Sequence, residues 1–154
     1  MTTYVITSPE YIEIDDVPLS TPAWETSNAD DLWSSPDVRG DDLLVPGGDG
    51  VRAYPRRATV TKASIELSVY GDVAPDGSVQ SDERIGMAAN CDALRALTTS
   101  TGVAADGTRL CTLHLAAGGT RSGRAHVLRI RFARNGRNLA VAQLELSIPS
   151  GALL

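Results

Sequence analysis

Apolar and polar residues alternate with a period of two along much of the chain, and that alternation predicts strands. Tyr11-Ile12-Glu13-Ile14 reads as a short strand, Asp15-Asp16 as a turn, and Val17-Pro18-Leu19 as the strand resumed. Pro18 has no N–H to give to a ladder, which places that segment at a sheet edge or strand start. The strongest strand runs from Thr59 to Tyr70. Val60 is even-numbered whereas Ile65, Leu67 and Val69 are odd, so one slip of phase is expected, with a bulge around Lys62-Ala63. From Leu110 to Leu115, Cys111, Leu113 and Leu115 share a face, and Gly118-Gly119 marks a turn. Ala125 to Phe132 and Leu139 to Ile148 flank Asn135-Gly136, a two-residue hairpin signal. With those two as the turn residues, Phe132 faces Leu139, Ile130 faces Val141 and Leu128 faces Gln143, while Val127 and Ala125 meet Leu144 and Leu146 on the other side. The buried face therefore changes near Leu128. A bulge, a passage into another sheet, or burial on both faces would each produce that change.

One stretch has helical periodicity, about Asp82 to Thr98, with Ser81 as the expected N-cap. Ile85, Ala89, Ala93 and Leu97 form its apolar stripe, widened by Ala88 and Leu94. The predicted fold is mainly β, an antiparallel sandwich or partly closed barrel with one helix at about 82–98. At 154 residues the chain is expected to be a single domain. Within it, residues from about 20 to 57 show little periodicity and read as a long excursion, a length that is usually functional or disordered. Trp24 and Trp33 fall in it, and Leu43-Leu44-Val45 runs into Pro46-Gly47-Gly48-Asp49-Gly50. Pro46 stops a central strand, and Gly47, Gly48 and Gly50 let the chain turn tightly. The tryptophans are either anchors at a subunit interface, where Trp is enriched, or lids pinning the excursion onto the core.

Charge changes the picture because it is segregated. Residues 1–50 carry eleven acids and one base, Arg39, a balance of −10; residues 51–154 carry eight acids and thirteen bases, a balance of +5. Such asymmetry suits binding to nucleic acid or to another copy of the chain. The acidic half argues against simple nucleic-acid binding. Arg121, Arg124, Arg129, Arg131, Arg134 and Arg137 cluster without interleaved aromatics, so stacking on single strands is not expected. Arg129 and Arg131 lie opposite Leu128, Ile130 and Phe132, on a solvated face or an interface face.

Candidate chemistry is sparse. No nucleophile-elbow, phosphate-loop or zinc-protease motif occurs, and no enzyme activity, metal or cofactor is expected. His114 and His126 sit on strands as surface or satisfied sheet residues. Asp37, Asp41 and Asp42 fit no EF-hand spacing and read as solvated loop charges. Cys91 and Cys111 match no zinc spacing and are expected as reduced, buried thiols. No apolar run is long enough for a membrane helix, and the N-terminus lacks a signal pattern, so the chain is expected to be made in a cytoplasm.

The order of Val17-Pro18-Leu19, Pro22-Ala23-Trp24, Val45-Pro46-Gly47-Gly48-Asp49-Gly50 and a strand closing on Val69-Tyr70-Gly71 resembles the N-terminal domain of distal tail proteins of long-tailed phages. The motifs cover roughly residues 11–71, and a single helix among strands agrees with the related tail-tube fold. Gly48 stands where that family often has a basic residue, and the length leaves no room for the second domain many members carry. The resemblance implies a virion protein at the tail tip, forming a ring of six that joins the tail tube to the tip hub. It would surround the tape-measure protein and, later, DNA in transit. A tail-tube subunit is the nearest alternative, and a β-sandwich binding host glycan or protein is the next. In the ring reading, the Arg129/Arg131 face of one subunit, or its hairpin end at Arg134 and Arg137, meets the acidic excursion of the next around Asp30-Asp31 or Asp41-Asp42, with Trp24 and Trp33 as candidate interface anchors and Pro46, Gly47 and Gly50 as the loop motif.

Overall fold

The computed structural model describes residues 3–33, 60–99, 104–150 and 153–154, with the backbone of four two-residue strands at 38–39, 43–44, 51–52 and 57–58. Its strands are β1 (Tyr11–Ile14), β2 (Val17–Pro18), β3 (Trp24–Asn28), β4 (Val38–Arg39), β5 (Leu43–Leu44), β6 (Val51–Arg52), β7 (Arg57–Ala58), β8 (Thr61–Tyr70), β9 (Arg109–His114), β10 (Thr120–Arg134) and β11 (Leu139–Ile148). The helix α1 (Glu83–Arg95) runs on into a 3-10 turn, Ala96–Thr98.

Seven strands make one antiparallel sheet in the order β2-β1-β9-β10-β11-β8-β3. The fold is mainly β with one helix, as the alternation predicts. β1 and β2 are joined by Asp15 and Asp16, both at positive φ (47° and 65°), the backbone of a tight two-residue hairpin. Strained as it is for a non-glycine residue, Asp15 is held from both sides. Its Oδ1 accepts from the Leu110 N–H at 2.9 Å and its Oδ2 from the buried Arg109 guanidinium at 2.8 Å. Arg109 also donates to the Thr99 carbonyl, tying the β1–β9 corner to the end of the helical segment.

β10 uses its two edges in turn. Thr120 to Ala125 pair with β9, and His126 to Arg134 pair with β11. The register shifts between Val127 and Arg129, leaving Leu128 as the extra residue. The expected change of face is thus a bulge at the point where the strand changes partner. The hairpin register differs from the two-residue turn reading. Arg134 faces Ala140, Phe132 faces Ala142 and Ile130 faces Leu144, and Asn135 N–H donates to the Leu139 carbonyl. The loop is therefore Gly136-Arg137-Asn138. Asn138 is required in the loop because its Oδ1 accepts from Gly71 N–H and Asp72 N–H (2.8 and 2.9 Å), pinning the hairpin to the end of β8.

β8 pairs with β11 without interruption from Thr61 to Tyr70, so the bulge predicted at Lys62-Ala63 is absent. Val60 precedes the strand and is exposed, and no phase slip is needed. Ala63, Ile65, Leu67 and Val69 share the inner face with Ala140, Ala142, Leu144 and Leu146 of β11. Fully buried aliphatic side chains of this kind stabilise by roughly 1.5–3 kcal/mol each. Residues 24–28, read as part of an excursion, are instead the edge strand β3, paired with β8 from Trp24↔Val69. The sheet curls until its ends approach: Trp24 Nε1 donates to the Pro18 carbonyl at 2.9 Å, and Thr26 Oγ1 to the Leu19 carbonyl. No ladder closes it. Beyond β3, β4 pairs with β7 and β5 with β6, two nested antiparallel ladders outside the main sheet.

The N-cap of α1 is Asp82, not Ser81; its carboxylate accepts from Arg84 N–H. The buried face agrees with expectation at Leu94 and Leu97 and differs elsewhere. Met87, Cys91, Leu94 and Leu97 face the sheet, whereas Ile85, Ala88, Ala89 and Ala93 are exposed. Two polar-looking positions decide this. Asn90 is buried and donates to the Tyr70 and Val73 carbonyls (2.6 and 3.0 Å). Gly86 packs directly on Gly71, where a Cβ on either would collide with backbone carbonyl oxygen.

Gly86→Ala therefore sets two effects against each other. Helix propensity favours alanine by ~1 kcal/mol; the collision with Gly71 opposes it with a typical overpacking penalty of about 1–3 kcal/mol. Because the obstacle is backbone, a net loss of stability is expected, seen as a lower urea midpoint. A raised midpoint would show that the helix shifts freely on the sheet.

Candidate functional site

The candidate residues fall on two regions of the fold. On the acidic side, β3 leads into a 3-10 turn, Asp30–Leu32, that ends at Trp33. The Asn28 side chain accepts from Asp30 N–H, and Asp31 Oδ2 accepts from Ser64 N–H at 2.9 Å, which fixes the turn against β8. Trp24 is completely buried, packed edge-on against Tyr4, which fits the lid reading. Trp33 is 45% exposed. It lies at a cleft of about 450 Å³ between β1 and β3, the regions brought together by the curl of the sheet. Glu10, Glu25 and Asp30 line the cleft with Tyr11, Asn28 and Trp33, and none of the described residues lining it is basic. Asp41 and Asp42 lie outside the described residues, as do Pro46, Gly47 and Gly50, which fall between the paired strands β5 and β6.

The basic residues do not form one patch. Arg129 is exposed but committed within the chain, donating through Nε and an Nη to the two carboxylate oxygens of Glu145 at 2.7 and 2.9 Å. These hydrogen bonds hold Glu145 below the usual carboxylate range and push Arg129 up. Arg131 shares that outer face, opposite Gln143. Arg134 alternates to the other face, with Phe132, over which the Arg95 guanidinium sits at 5.8 Å. Arg137 is exposed in the hairpin loop. Arg131, Arg134 and Arg137 make no hydrogen bond or ion pair among the described residues.

Glu10, Tyr11 and Glu25 were not singled out by sequence reasoning. No local signal could have found them, since strands far apart in the sheet order supply them. Tyr11 stacks on His114 with ring centroids 4.2 Å apart, and burial followed by the charge of Glu13 raises its pKa. His114 Nε2 is 3.2 Å from Glu13 Oε1 without hydrogen-bond alignment. Among the described residues no cluster of three or more His, Cys, Asp or Glu could hold a metal ion. No described helix is long and apolar enough to cross a membrane. Cys91 and Cys111 are unbonded and buried. Burial raises both thiols, Cys111 to about 12.

No protein-family model matches the chain, and no curated protein sequence does. Solved structures do. The SPP1 Dit protein, described as a paradigm of the hub adsorption apparatus in phages infecting Gram-positive bacteria, matches with a TM-score of 0.60 at 12% identity. The match covers 92% of this chain, which spans half the length of that one. A chain from the tail of an empty GTA particle, obtained by helical refinement with C6 symmetry, matches with a TM-score of 0.50 at 12% identity. That match covers 95% of this chain and 94% of the other. This chain shares its fold with these tail proteins.

Two measurements check the geometry. Acrylamide should quench only one of the two tryptophans, and Trp33→Phe should leave a blue-shifted, poorly quenched emission from Trp24; two equally quenched residues would contradict the placement. Thiol reagents at pH 8 should modify neither cysteine until the chain is unfolded. A raised thiol pKa favours the folded state fully below the ordinary value of 9.0 and loses that contribution as pH climbs toward the folded value of about 12 for Cys111. Stability should therefore fall above pH 9, and Cys111→Ser should flatten that fall.

Proposed function

We propose that the chain is a structural subunit of a phage tail, a non-enzymatic ring component that joins the tail tube to the tip hub. The observation carrying this reading is the fold likeness to SPP1 Dit over 92% of the chain. A ring of six subunits, enclosing the tape-measure protein and later passing DNA, agrees with the C6 symmetry of the GTA tail. Two features of the chain suit head-to-tail contacts, in which different patches of one subunit meet. Among the described residues, Val127 to Arg134 have a strand beside them on one edge only, and such an edge is a ready place for another chain to add. Acidic and basic groups are also segregated, which fixes register and steers encounter.

A second reading, a tail-tube subunit, has its own support. The GTA tail chain is matched over 94% of its length, so the two chains are of similar extent, whereas SPP1 Dit is twice as long as the matched part.

Electron microscopy of the purified chain, alone and mixed with the tube and hub proteins of the same phage, separates these readings. Single rings that cap tubes or hubs are the expected result. Long tubes made of this chain with a tape-measure protein would favour the second reading. A chain that stays monomeric and binds neither protein would refute both.

A further inference from the structure

Two parts of the chain are complementary and stand apart in the described structure. The first is the cleft between β1 and β3, with Glu10, Glu25 and the exposed indole of Trp33 in its lining and no cation among the described residues that line it. The second is the tip of the β10–β11 hairpin, where Arg137 stands exposed in a three-residue loop and Arg134 flanks it. The loop is held in shape by Asn138, whose carbonyl oxygen accepts from Gly71 and Asp72 N–H, so Arg137 is presented on a fixed base. β8 stands between the hairpin and β3 in the sheet, and no residue of the tip lines the cleft of its own subunit.

We propose that the cleft receives the Arg137 hairpin tip of a second copy of the chain. A guanidinium is planar and weakly hydrated, so it can lie on the face of an indole while its N–H groups meet carboxylates. The cleft offers both partners in one place. The contact is head-to-tail, since tip and cleft are two different surfaces of one subunit. Arg129 is not the donor, because Glu145 already holds it. The inference rests on the ring reading above and names the contact that would join neighbouring copies.

The test is a concentration series of the isotopically labelled full chain, followed by NMR. The Trp33 indole N–H and the backbone of residues 135–138 should shift together as concentration rises, and return as salt is added. The buried Trp24 indole should not move. Glu10→Lys with Glu25→Lys should weaken self-association about ten-fold, as like charges are juxtaposed. Arg137→Glu should do the same, with Arg134→Glu as a second variant, and mixing the acid-reversed with the arginine-reversed chain should recover association. Unmoved Trp33 in the wild-type chain up to millimolar concentration would overturn the proposal, and so would reversed variants that associate normally. An oligosaccharide panel that shifts Trp33 in the monomer would make the cleft a sugar site instead, also overturning it. If the acid-reversed variant still forms rings under the microscope, this contact is wrong and the ring reading stands; if the wild-type chain forms none, that reading itself fails.

Discussion

The fold depends on one strand serving two neighbours. β10 gives its first six residues to β9 and the remainder to β11, and the extra residue at Leu128 sits beside the changeover. Side chains alternate strictly along a strand, so an uninterrupted β10 would place Ala125 and Val127 on the face opposite to Ile130 and Phe132. The bulge restores phase, and both halves turn their apolar residues to one core. The sheet runs on from β1 to β8 and curls until Trp24 bonds the Pro18 carbonyl across the gap between its edges.

That curl creates the cleft, and the same strand exchange projects the β10–β11 hairpin. The hairpin tip is rigid because Asn138 links it to the end of β8, which in turn holds α1 through the Gly71–Gly86 approach and the Asn90 side chain. A rigid tip and a preformed cleft lower the ordering cost of a contact between copies.

Strands β1, β2, β8, β9 and β11, the second part of β10, the β1–β2 turn and the extent of the helix were legible in the sequence, because each rests on local period or turn chemistry. The hairpin register was not. Asn-Gly favours a two-residue turn locally, and two bonds from a distant strand end to Asn138 override that preference. The helix face was misassigned for a related reason. Hydropathy ranks Ile85 and the alanines above Gly86 and Asn90, while packing at close range needs the absence of a Cβ at 86 and a hydrogen-bond donor at 90. β3 escaped notice because a five-residue edge strand buries little beyond Trp24. At the candidate site, Trp33 stood out by composition, but Glu10 and Glu25 join it only through the curl of the sheet.

The central claim, that the chain is a built-in part of a phage tail, is tested most directly by counting it. Absolute quantification by mass spectrometry on purified particles of the encoding phage, against the tube protein as internal standard, gives its copy number. The account predicts one ring's worth per particle, six copies if it follows the C6 symmetry of the GTA tail. A chain absent from purified particles would contradict the account.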